Sequence, residues 1–287
     1  MRFAATVVLW LATTVALAVA IPAAWTQMNV IDTDGYAAMA RKAAGDPALQ
    51  SAMAAELTTR AMALIAAHGG RRYPVDGSQV HDAAAAFTAG REFPPLFALA
   101  NRAAHDWLFT DPRSGQNGDL WMVDVGPMLN DSSFQQILSS YDVQVPATLT
   151  VPLTVSVPSM SEPLRQGQLS RLVTWGPWVT IGAIALSSFC GLLTLLAARR
   201  RGKALTSLGV SALLVGAGGW AGIEIGGRNI NDALNRTTGD IRRIADVMVG
   251  HAEASLRQWL NLTLVAGAAL VVFGVLVAIV GSLWKKP

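Results

Sequence analysis

Four long apolar runs, residues 3–24, 172–198, 204–225 and 260–283, punctuate an otherwise mixed chain of 287 residues. A hydrocarbon core of about 30 Å takes roughly 20 helical residues to cross, and each run reaches that length. The last two contain a single acid, Glu224. Segments 1–25, 172–198, 204–226 and 260–287 therefore read as membrane spans, the last with a short basic tail.

Between the first two spans, residues 26–171 show helical periodicity followed by a short alternating stretch. A brief helix is expected near 35–44. Asp46-Pro47 then supplies an N-cap and a proline at the first helical position. Leu49, Met53, Leu57 and Leu64 fall on one face of the helix that follows, and Gly69-Gly70 ends it. Ser78 is expected to cap a helix through residue 89. Residues 94–109 repeat the pattern with Leu96, Phe97, Ala100, Ala104, Trp107 and Leu108. Residues 111–118 read as a loop, 120–125 as extended and 127–140 as helical.

From 149 to 157, Leu149, Val151, Leu153, Val155 and Val157 alternate with polar residues and Pro152. Alternation of this kind is a one-face strand signal. Pro146, Pro152 and Pro158 cannot donate ladder bonds, so the expectation is an edge strand or strap. The fold class predicted is a mainly α membrane protein: four transmembrane helices, and a mostly helical extracytoplasmic domain with a minor extended part.

Charge fixes the expected orientation. The loop 199–203 holds Arg199, Arg200, Arg201 and Lys203, the C-terminus Lys285 and Lys286, and the N-terminus Arg2. Those three segments carry seven basic residues and no acid. Basic flanks stay on the cytoplasmic side, which predicts N-in, C-in topology and a multi-pass protein of the plasma membrane. Trp25, Trp175, Trp178, Trp220 and Trp259 fall near the four outer crossings and Trp284 near an inner one, the depth that indole rings prefer. The first run also resembles a signal peptide, with Ala18-Val19-Ala20 as a cleavage site. Apolar residues continue through Ala24 and the charged leader is only Arg2, which favours an uncleaved anchor.

Composition agrees with this layout. Hydrophobic residues make up 52%, charged residues only 14%, and mean hydropathy is +0.38. A soluble domain carries about 25% charged residues. The net charge of +3 sits largely in the membrane-flanking segments and does not describe a nucleic-acid surface. With one cysteine, Cys190, the chain can form no internal disulfide. Cytoplasmic segments of a few residues leave no room for a kinase, a nucleotide-binding domain or a DNA reader.

Several segments carry a family resemblance. Ile31-Asp32-Thr33-Asp34-Gly35-Tyr36, Asp46-Pro47-Ala48-Leu49-Gln50, Ala100-Asn101-Arg102-Ala103-Ala104-His105 and Val123-Asp124-Val125-Gly126-Pro127-Met128-Leu129 resemble a group of actinobacterial polytopic membrane proteins. The resemblance covers residues 20–200. It implies a first span, a helical exterior domain and further spans, and it implies no activity.

Candidate chemistry is sparse. His81-Asp82 and His105-Asp106, with His68 and Asp124 elsewhere, are residue types that could hold a divalent ion in an exterior hydrolase. Adjacent residues point about 100° apart on a helix, so each pair needs partners from other helices. Otherwise they are capping or surface groups. Glu224 is a carboxylate within a span, the kind of residue that serves ion or proton passage in a small transporter or channel. Arg228 stands at i+4, the favourable order for an interfacial ion pair. Gly218, Gly222 and Gly226 repeat every four residues, and Gly267, Gly274 and Gly281 every seven, marking helix-packing faces for contacts within the chain or in a homo-oligomer.

Residues 227–259 form a second exterior segment. Within it Ile230, Leu234, Ile241, Ala245, Met248, Ala252 and Leu256 share a stripe opposite charged residues. A continuous 30-residue helix would run about 45 Å away from a membrane face to which the chain must return. The expectation is a hairpin turning at Gly239, packed on the first exterior domain. No phosphate loop, nucleophile elbow, His-Glu-x-x-His or Cys/His array occurs. No residue set is assigned a catalytic, cofactor-binding or metal role. The partners expected are the lipid bilayer and other membrane or envelope proteins, with no nucleic acid.

Overall fold

In a computed structural model, the structure describes residues 2–68, 76–111, 122–124, 132, 152–154, 166–198, 201–235 and 239–283. Eight α-helices occur among them: α1 (Arg2–Thr26), α2 (Thr33–Ala43), α3 (Pro47–His68), α4 (Gly77–Ala89), α5 (Phe93–Phe109), α6 (Ser170–Ala197), α7 (Arg201–Leu234) and α8 (Gly239–Leu283). A π-helical turn, Gln27–Ile31, follows α1, and two short strands, β1 (Met122–Asp124) and β2 (Pro152–Thr154), lie between α5 and α6. Four helices are long and apolar enough to cross a membrane, over Thr6–Ile31, Ser170–Leu196, Gly202–Asp232 and Gly239–Gly281. This is the architecture of a multi-pass membrane protein.

The chain divides into two compact units. One comprises residues 1–30, 173–229 and 253–287, the other 31–172 and 230–252. Helices α7 and α8 both outrun the apolar stretches that defined their spans. At 45 residues, α8 is about 67 Å long, twice what a hydrocarbon core requires. Helix α8 begins at Gly239, whose φ of +71° is a left-handed conformation that glycine adopts without side-chain strain.

In the first unit the spans are held by small residues and by short polar links. Thr14 Oγ1 of α1 lies 2.8 Å from Ser211 Oγ of α7, and Trp10 Nε1 donates to the Ser207 carbonyl at 2.9 Å. Thr180 of α6 donates to the Ala23 carbonyl at 3.3 Å, and Trp25 Nε1 donates to Ser255 Oγ of α8 at 3.1 Å. Lipid tails provide no hydrophobic drive for helix association, so close packing and such hydrogen bonds carry it.

The second unit has a conventional helical core. Ala40, Ala43, Leu49, Met53, Leu57, Phe87, Phe93 and Phe97 are buried together where α2 to α5 meet. Alanines at 37, 40 and 43 let α2 lie close to its neighbours. Pro94 and Pro95 occupy the first turn of α5, where their missing N–H groups cost nothing. Ile244, Val247 and Met248 of α8 pack against this core. Of these only Met248 belongs to the stripe anticipated from the sequence.

Capping explains where the helices begin. Asp32 Oδ1 accepts from Gly35 N at 2.8 Å and Asp46 Oδ1 from Ala48 N at 2.8 Å. The α4 cap is Asp76 rather than the expected Ser78: the Asp76 carboxylate accepts from Ser78 N at 2.9 Å. These backbone and hydroxyl bonds from Ser78 hold the Asp76 carboxyl below its ordinary value. β1 and β2 pair antiparallel, with Val123 opposite Leu153 and Asp124 opposite Pro152. The proline stands at the end of the described ladder, where no donor is required of it. The backbone before α6 returns to α5 through Gly167 N to Trp107 O and Leu169 N to Leu108 O, both 3.1 Å. Of the expected helix over 127–140 only Ser132 is described, and it is helical; the Gly69-Gly70 stop and the flanks of the 149–157 alternation lie outside the described residues.

Candidate functional site

Helices α7 and α8 approach each other along a glycine seam. Gly202, Gly209 and Gly216 recur every seven residues on α7, and seven-residue spacing keeps residues on one contact line of a helix pair. A Cβ at Gly209 would come within 2.7 Å of the Gly267 carbonyl oxygen on α8, and one at Gly202 within 2.6 Å of the Gly274 carbonyl oxygen. Reciprocally, a Cβ at Gly274 would meet Thr206 N at 2.6 Å, and one at Gly267 would meet Leu213 N at 3.0 Å. Backbone touches backbone here.

Gly218, Gly222 and Gly226 are placed differently. Among the described residues, a Cβ at any of the three meets nothing within 4 Å, and the same holds for Gly281. The four-residue repeat on α7 thus lies away from the seam, and the seam uses glycines that the four-residue pattern did not single out. Their seven-residue spacing, matched to Gly267 and Gly274, was the signal available.

At the far end of the seam, polar side chains gather on the two helices. Trp220, Glu224 and Gly227 share a face of α7, and Glu253, Arg257 and Asn261 a face of α8. Arg257 Nη2 lies 3.4 Å from Glu253 Oε2 and 3.7 Å from Glu224 Oε1. Its guanidinium carbon is 5.3 Å from the centre of the Trp220 ring, within cation–π range. Trp220 Nε1 in turn donates to Asn261 Oδ1 at 3.2 Å. Glu224 therefore pairs across to α8, not along its own helix to Arg228 as its spacing suggested. The indole face is what makes the difference, because it supports a guanidinium arriving from α8. The Glu224 side chain is 66% exposed, so the pair contributes at most about 1 kcal/mol.

The His-Asp pairs separate into two unlike environments. His81 on α4 is exposed, with Nδ1 3.4 Å from Thr58 Oγ1, and Asp82 is also exposed. His105 on α5 is buried, 3% exposed. Its imidazole stacks on Phe109 at 4.2 Å between centroids and lies 5.1 Å from the Tyr36 ring. Nδ1 is 3.4 Å from Thr33 Oγ1 and 3.8 Å from Asp106 Oδ1, while Thr33 donates to Asp106 at 3.3 Å.

Asp34 with Arg102, and Tyr36 Oη donating to Asn101 Oδ1 at 3.4 Å, complete the junction of α2 with α5. Burial pushes the Tyr36 hydroxyl above its ordinary value. The arrangement joins helices: aromatic rings pack on the imidazole and a hydroxyl meets its nitrogen. Among the described residues, no three His, Cys, Asp or Glu side chains converge on a point where an ion could be held. The side chains of His68 and Asp124 lie outside the described ones.

Comparison with known proteins adds no neighbour: no family model, no curated protein and no solved structure matches the chain.

Proposed function

We propose that this chain is a non-enzymatic interaction or assembly component of a cell envelope. In this reading it sits in the plasma membrane with both termini in the cytoplasm and its helical domain outside. The grouping with actinobacterial polytopic membrane proteins belongs to the same proposal and is supported by the four segments that carry the resemblance.

The observation that carries the reading is the open face of α7. Small residues four apart let a second helix approach closely in lipid. Gly218, Gly222 and Gly226 form such a face, and among the described residues a Cβ at any of them would meet nothing within 4 Å, because the α7–α8 contact runs through other glycines. An open small-residue face suits a helix of another envelope protein or of a second copy. The orientation is supported by the seven basic residues that flank the spans on one side without an acid among them.

The test is photo-crosslinking in native membranes, with a crosslinkable residue at position 222 and a control at the lipid-facing position 272. The expected result is a discrete protein adduct at 222 and only lipid adducts at 272. Lipid adducts alone at both positions would remove the open-face argument.

A further inference from the structure

A groove of about 480 Å³ lies beside the glycine seam, lined by Lys203, Thr206 and Ser207 of α7 and Val275, Ala278 and Ile279 of α8. We propose that this groove binds an anionic phospholipid with a hydroxyl-bearing headgroup, its phosphate on Lys203 and one acyl chain along the α8 wall. The lining residues recur at three- and four-residue intervals on each helix, so each set forms one face. The groove lies beside the point where Gly202 and Gly274 bring the two backbones together, a Cβ at Gly202 falling 2.6 Å from the Gly274 carbonyl oxygen.

Charge at this end favours an anion. Lys203 is exposed at the groove, and the chain places Arg199, Arg200 and Arg201 just before it and Lys285 and Lys286 just after α8. No acid occurs in 199–223 or 254–287, so nothing along these stretches of the two helices opposes a phosphate. Helix α7 also begins at Arg201, and the start of a helix is the positive end of its dipole. Basic recesses between spans, next to such clusters, are where anionic headgroups settle.

The two hydroxyls narrow the headgroup. Thr206 Oγ1 donates to the Gly202 carbonyl at 3.0 Å and Ser207 Oγ to the Ala204 carbonyl at 2.8 Å. With their hydrogens committed to the backbone, both oxygens offer only lone pairs to a ligand. They fit a headgroup that donates, such as glycerol, and not choline, which has no donor. Val275, Ala278 and Ile279 supply the apolar wall that a lipid tail needs and a free phosphate does not.

Native mass spectrometry of the full chain tests this, after equilibration with equal amounts of phosphatidylglycerol, phosphatidic acid and phosphatidylcholine in mild detergent. Phosphatidylglycerol should be retained most strongly, phosphatidylcholine least. Lys203→Gln should lower the preference for phosphatidylglycerol over phosphatidylcholine on the order of fivefold, and Lys203→Arg should keep it. Val275→Trp, which fills the groove without touching a charge, should reduce retention of phosphatidylglycerol. Equal retention of phosphatidylglycerol and phosphatidylcholine by the unaltered chain would overturn the proposal. So would a preference untouched by both Lys203→Gln and Val275→Trp, and equal retention of phosphatidic acid and phosphatidylglycerol would overturn the role given to the hydroxyls.

Discussion

Gly209 on α7 and Gly267 on α8 face each other so closely that a methyl group on either would sit within 3.0 Å of the other's carbonyl oxygen. Such distances leave a larger residue no room without moving a backbone. Gly209→Leu should therefore destabilise the chain by about 1–3 kcal/mol or prevent its folding, and Gly209→Ala by less. Gly218→Leu, one helix face away, should leave the folded fraction of the isolated chain unchanged in a denaturing-detergent titration. Equal effects at the two positions would mean that the seam is not what holds α7 to α8.

That contrast also marks what could be read from the residues alone. Apolar length sufficed to locate the four spans, because the hydrocarbon core sets a minimum that few other segments reach. Helices α2, α3 and α5 were legible from caps and periodicity, Asp46-Pro47 above all. The seam was harder to see. A small-residue repeat on one helix marks a face on which a neighbour could pack, but the choice of face depends on which repeat the partner matches. Gly202, Gly209 and Gly216 match the seven-residue repeat of α8, while Gly218, Gly222 and Gly226 do not. The partner of Glu224 was hidden for the same reason: spacing exposes Arg228 on the same helix, and only the tertiary structure brings Arg257 to it.

Arg257 should matter more than either carboxylate that it meets. It contacts Glu253, Glu224 and the Trp220 ring at once, so Arg257→Ala removes three interactions while Glu224→Gln removes one. With about a third of the guanidinium side chain exposed, the expected losses are about 1 kcal/mol for Arg257→Ala and under about 0.5 kcal/mol for Glu224→Gln. A double-mutant cycle between Arg257 and Trp220 should show coupling. Additive single effects would place the guanidinium away from the ring in solution.

The two His-Asp pairs should respond differently to truncation. His105→Ala removes a buried ring stacked on Phe109 and leaves a cavity between α2 and α5, a change expected to cost about 2–4 kcal/mol. His81→Ala at its exposed site should change stability by no more than about 0.5 kcal/mol. Chemical denaturation of the purified full chain, monitored by near-ultraviolet circular dichroism, separates the two. A large loss at His81 with little at His105 would contradict the packing described.

Tyr36 should make the helical unit sensitive to alkali. Its ring is half-buried at the α2–α5 junction, and that partial burial disfavours the tyrosinate, so the folded-state pKa lies above the ordinary value of 10.0. The sign follows from proton binding: above pH 10 the unfolded chain has released this proton while the folded chain still holds it. The stabilisation is fully present below about pH 10 and is lost as pH rises through the folded value. Unfolding of the full chain measured between pH 8 and pH 11.5 should thus show a falling stability above pH 10. Tyr36→Phe keeps the ring beside His105, loses the hydroxyl that donates to Asn101, and should flatten that slope. An identical alkaline slope in both proteins would show that another group carries it.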